Sequence, residues 1–180
     1  VSGDDLVKFE IPASFVLERM FPSAAELAWG FRRGWVSAEG VVAIALGKLI
    51  AGIYLPGPEE ELALLLSDDL DRVAELVADL EFVDEPDERR ARVWLFLALS
   101  WLLVRRHEFA DPHEMIEMLY ADFDSPAEIR DLVRYMQPEP GQPIGLSALD
   151  ERWRAWIETV GWEYRDRQLM LTETEQADDL

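Results

Sequence analysis

The sequence predicts an all-α fold of about eight helices, packed as helical hairpins around a buried central helix at about residues 87–107. Three observations carry this. Helix-start signals recur along the 180 residues, each followed by apolar positions three and four apart. A twelve-residue apolar run, Val93 to Val104, is interrupted only by Ser100 and closed by arginines on both sides. Period-two alternation is confined to short stretches near Leu6, Lys8 and Glu10 and near Leu169 to Leu171.

Taken in order, Ser23 and Glu26 form a capping box that opens a helix carrying Leu27, Ala28, Trp29 and Phe31. Gly34 ends it in a left-handed conformation. Ser37 caps a second helix, whose apolar stretch runs from Val41 to Ile50 and stops at Gly52 and the Pro56-Gly57-Pro58 cluster. Pro58 suits a first helical position, and Glu59, Glu60 and Glu61 suit the positive end of a helix dipole. Asp68 or Asp69 starts the next helix, along which Val73, Leu76, Val77 and Leu80 repeat. Asp84 to Asp87 punctuates before the central helix. Asp111-Pro112-His113-Glu114 and Ser125-Pro126-Ala127-Glu128 read as two proline-containing capping boxes, each followed by an apolar face. Gln137 to Gly145 is a loop with three prolines and two glycines. A last helix starts between Ser147 and Asp150 and carries Trp153, Trp156, Ile157 and Val160; Trp162 to Leu171 fits either helix or strand. The reading is one helical domain over 1–171 and a disordered acidic tail over 172–180.

The central apolar run is shorter than the roughly 20 residues a membrane span requires. Val1 to Glu10 holds two aspartates and no leader-like apolar run, and the chain has no cysteine, so a cytoplasmic location is expected. Disulfides, thiolate metal sites and cysteine nucleophiles are excluded.

The formal charge is −20, from 37 acids against 15 arginines and two lysines. This repels nucleic acid and anionic membranes and attracts basic proteins, although charge alone can serve solubility. The acids are clustered: thirteen, with three bases, lie between 56 and 90, and seven, with no Lys or Arg, between 108 and 128. The candidate partner-binding residues are Asp68, Asp69 and Asp71 from the first stretch and Asp122 and Asp124 from the second. If the helices flanking the central one bring these together, they form a focused negative surface. Solvated helix starts are the plainer reading for Glu59, Asp87, Asp111 and Glu114.

No catalytic motif appears. The sequence lacks HExxH, GxSxG and any glycine-rich phosphate loop, so neither an enzyme nor a cofactor is expected. His107, Asp111 and His113 lack helical metal-ligand spacing, and Asp122-Phe-Asp124-Ser opens like a calcium loop but has Val133 where the twelfth-position Glu belongs. Trp94 and Trp101 share a face of the central helix and are assigned to the core. Trp29 and Trp35 bracket Gly34 and staple two helices. Trp153, Trp156 and Trp162 are the better candidates for a surface patch.

The stretch Glu26-Leu-Ala-Trp-Gly-Phe-Arg-Arg-Gly-Trp-Val36, with Gly40-Val-Val-Ala-Ile-Ala45 and Glu60-Glu-Leu-Ala-Leu-Leu-Leu66 after it, resembles a bacterial family named domain of unknown function 2247. The similarity covers about residues 23–80. Its motif of Trp and Gly is a packing signature, and no functional residue is carried over. Small acidic bacterial families of this kind are often immunity proteins of toxin systems, so the resemblance implies a domain that binds and neutralises a cognate basic toxin. The alternative is a non-catalytic scaffold or adaptor that binds its partner through an apolar groove involving Trp153 or Trp156.

Overall fold

A computed structural model of the chain describes residues 5–80, 86–137 and 140–178. Among these residues there are eight α-helices, three 3-10 segments and no strand. In chain order the helices are α1 (Ala13–Leu17), α2 (Ala24–Arg32), α3 (Ala38–Ile50), α4 (Pro58–Ala63), α5 (Val73–Asp79), α6 (Asp87–Val104), α7 (Pro112–Asp122) and α8 (Leu146–Asp178). The 3-10 segments are Ser67–Arg72, Arg106–Glu108 and Ala127–Leu132. No helix among the described residues is long and apolar enough to cross a membrane.

The architecture follows from the apolar run. Val93 to Ser100 and Leu102 of α6 are all buried, so α6 needs neighbours on every side. It packs against α2, α7 and α8, while α3 with α4 and α4 with α5 pair in sequence order beside α1. The predicted central helix and helical pairs are therefore present.

The Trp-Gly motif makes the α2 contact. Trp94 of α6 is fully buried, and its indole Nε1 donates to the Glu26 carbonyl of α2 at 2.7 Å. Gly30 lies directly beneath that ring: a Cβ there would stand 1.9 Å from Trp94 Cε2. Gly34 then closes α2 at φ 75°, with Trp35 N–H donating to the Gly30 carbonyl and Gly34 N–H to that of Phe31, a Schellman end. This turn sends Trp35 into the core, where it meets Phe9 and Phe123 at ring-centroid distances of 5.7 and 5.4 Å. Ser23 and Glu26 form the predicted reciprocal capping box, and Ser37 caps α3 through Gly40 N–H.

Several local readings are corrected. Helix α1, enclosed by Pro12 and Pro22, has no counterpart in the sequence reading. Ser125 does not cap a helix. Asp124 and Ser125 both take left-handed conformations (φ 58° and 56°), and Ser125 N–H donates back to the Tyr120 carbonyl, closing α7. The Ala127–Leu132 segment therefore begins without a side-chain cap. Helix α8 spans Leu146–Asp178, so the Trp162 to Leu171 stretch that fitted either helix or strand is helical. Trp153 is buried completely, in a stripe with Leu149, Val160 and Tyr164; Trp156 is half-buried, and only Trp162 of these three tryptophans is exposed. Asp84 and Glu85 of the predicted break before the central helix, the 138–139 part of the proline loop, and residues 179–180 of the predicted tail lie outside the described residues.

Candidate functional site

The two acidic stretches meet different fates. Helix α4, the segment Ser67–Arg72 and α5 form a run between residues 56 and 80 with eight acids and one base. Gly57 at φ 57° and Pro58 at the first helical position start α4, placing Glu59, Glu60 and Glu61 in its first turn. Glu59 turns inward and pairs with the buried Lys48, whose ammonium also donates to the Pro22 carbonyl at 2.8 Å. Glu61 pairs with Arg72 at 3.2 Å, the single base of the run. The remaining acids face out: Glu60, Asp68, Asp71, Glu75 and Asp79 are exposed and Asp69 is half-exposed. None of these six has a hydrogen-bonding or ionic partner on its side chain among the described residues. Of the predicted partner-binding residues, Asp68, Asp69 and Asp71 are thus together and available.

Asp122 is committed elsewhere. Its two carboxylate oxygens accept from Leu6 N–H and Val7 N–H, both at 2.8 Å, and so seat the N-terminal segment over the core. Arg33 reinforces the joint by donating to Asp5 and to the Asp122 carbonyl. Asp124 is exposed, and its left-handed backbone follows from closing α7. Both residues border an open groove of about 1380 Å³ that Asp68, Asp69 and Asp71 do not line. Asp87 and Glu88 of the first acidic stretch do line it, so the groove joins parts of both stretches but not the five predicted residues.

Inside the groove Arg33, Lys48, Arg92 and Arg167 each pair with a carboxylate. Arg92 bridges Glu128 at 2.9 Å and Glu163 at 2.8 Å, tying α6 to the Ala127–Leu132 segment and to α8. Burial lowers the Arg92 pKa, but the hydrogen bonds it donates to Glu163 and Glu128 outweigh this and hold the guanidinium above its ordinary value. Arg167 of α8 reaches the fully buried Glu26 with two nitrogens, at 2.6 and 2.8 Å, and the Phe21 carbonyl with one of them. Sequence reading missed these residues because their partners lie 36 to 141 positions away. Burial pushes the Tyr164 phenol in this groove up to about 12, against the pull of Arg92. The folded state therefore keeps a proton that an unfolded tyrosine loses near pH 10. Stability is expected to fall as pH rises from about 10 toward 12. Denaturant titrations across that range should show a weaker fall in Tyr164→Phe.

The histidine-centred metal reading does not assemble. His113 Nε2 sits 3.0 Å from Asp150, Asp111 caps α7 and pairs with Arg134 at 2.6 Å, and His107 is exposed beside Glu108. Among the described residues no three His, Asp or Glu side chains are placed to hold a metal.

The fold and these surfaces define an all-α domain with carboxylate-rich outer faces and internally paired buried charge. The chain belongs to the family described as "Uncharacterized protein conserved in bacteria (DUF2247)", whose family model matches residues 13–161. The match extends past the 23–80 stretch that carries the sequence resemblance, from α1 into α8. No curated protein and no solved structure matches the chain.

Proposed function

We propose that the chain is an acidic protein-binding domain acting in the bacterial cytoplasm as an immunity protein, and that its ligand is a cationic toxin domain. One observation carries the reading: Asp68, Asp69 and Asp71, with Glu60, Glu75 and Asp79, stand on consecutive packed elements without an intramolecular cation. Carboxylates kept solely for solubility need no such grouping, whereas a negative field concentrated on one face accelerates encounter with a basic protein. Asp124 adds charge at the groove, while Asp122 serves the fold.

The test is co-expression with a basic toxin domain captured by this chain from host lysate, followed by stopped-flow association. A one-to-one complex that relieves toxicity is expected. Reversing Asp68, Asp69 and Asp71 to Lys should slow association by about tenfold or more at low salt, with the gap closing as salt rises. An unchanged rate after triple reversal would show that this face is not used, and unrelieved toxicity would end the immunity reading.

A further inference from the structure

The outer face of α3 carries a feature that charge does not explain. Ala43, Leu46 and Ile50 are spaced as one helical stripe and all are exposed, Ile50 at 78%. The opposite face, with Val41, Ile44, Ala45 and Lys48, is buried. On one flank Leu17 of α1 seats against Gly47; α4 and the Ser67–Arg72 segment also pack on α3. The end of α4 and its linker add Leu64 and Leu66, exposed at 62% and 70%. Single exposed apolar side chains are ordinary, but a helical stripe with two further exposed leucines on the elements packed beside it has the composition of an interface centre.

The surroundings select the occupant. From α3 through the Ser67–Arg72 segment there are seven acids and two cations, Lys48, which is buried against Glu59, and Arg72, which pairs with Glu61. On the α4 and Ser67–Arg72 side the stripe is thus flanked by a rim of net negative charge, whose one exposed cation, Arg72, is paired with Glu61. A second copy would bring two such rims together, and an anionic lipid surface would be repelled. We propose that this face is a docking stripe for a cationic amphipathic segment of a partner protein, the leucines and Ile50 entering its apolar side while Glu60, Asp68 and Asp71 meet its lysines or arginines. This deepens the binding reading above and rests on it.

The probe is an 18-residue amphipathic Leu–Lys peptide, with a scrambled isomer of equal charge as control, titrated by fluorescence anisotropy into the full chain. One-to-one binding is expected, weakened about tenfold or more by Ile50→Ser with Leu66→Ser, by Asp68→Lys with Asp71→Lys, and by scrambling. All four substitutions are on exposed side chains, and circular dichroism verifies folding. If charge reversal weakens binding while the serine pair does not, the docking stripe is wrong and the cationic-partner reading stands. Equal binding of both peptides, or of neither, also overturns the stripe, and the co-expression test then judges immunity separately. A concentration-dependent dimer abolished by the serine pair would make the occupant a second copy.

Discussion

Glu59→Ala is expected to destabilise the fold by about 3–5 kcal/mol, the usual cost of stranding one member of a buried ion pair. Lys48 and Glu59 have side chains only 6% and 5% exposed, and they join α3 to α4 beneath the acidic face. Without Glu59 the Lys48 ammonium keeps the Pro22 carbonyl as its remaining acceptor. An ammonium donates three hydrogens, so one carbonyl cannot replace the lost carboxylate. The attraction between two buried charges does little more than offset their desolvation, so replacing both should cost far less than replacing one. Lys48→Met with Glu59→Leu is accordingly expected within about 2 kcal/mol of the parent, or above it. Urea unfolding at unchanged m-value measures all the variants needed for the cycle. A double variant as unstable as the two single losses summed would locate the cost in packing instead of charge.

The same pair illustrates what the sequence could and could not disclose. Glu59 reads as a helix-start acid, and it is one, but its inward turn depends on a lysine eleven residues earlier on another helix. Ser23 and Glu26 were legible because a capping box closes within four residues. Ser125 and Glu128 have the same pattern and do not form a box: α7 ends by placing Asp124 and Ser125 in left-handed backbone, and Glu128 goes to Arg92. Trp153 looked like a surface residue because its chain neighbours are charged. Its partners at the helical spacing, Leu149, Val160 and Tyr164, place it in the core. Gly161 does not break that helix; it lies under the Phe96 ring, where a Cβ would make ordinary contact at 3.6 Å. At the candidate site, composition revealed the acidity. Only tertiary contacts separate Asp122, consumed by two backbone amides, from Asp68 and Asp71, which have no such task.

Gly30→Ala is the second substitution expected to have a large effect, because the α2–α6 contact has no room for a methyl group. The added Cβ would lie 1.9, 2.1 and 2.4 Å from three atoms of the Trp94 indole, where non-bonded carbons rest at roughly 3.5–4.0 Å. The ring cannot swing away at low cost: it is fully buried, and its N–H donates to the Glu26 carbonyl one turn earlier on α2. Either the helices separate, opening contacts along the buried face of α6, or the indole leaves its rotamer and strands its donor. A loss of about 3 kcal/mol or more is expected, the upper part of the range for overpacking. Gly34→Ala puts an L side chain into left-handed backbone, a conformational cost on the order of 1–2 kcal/mol. Background dependence tests the cause. In a Trp94→Leu background, already destabilised by the lost ring, Gly30→Ala should add much less than it does in the parent. Strict additivity of the two changes would mean that the glycine is required for some reason other than the ring lying on it.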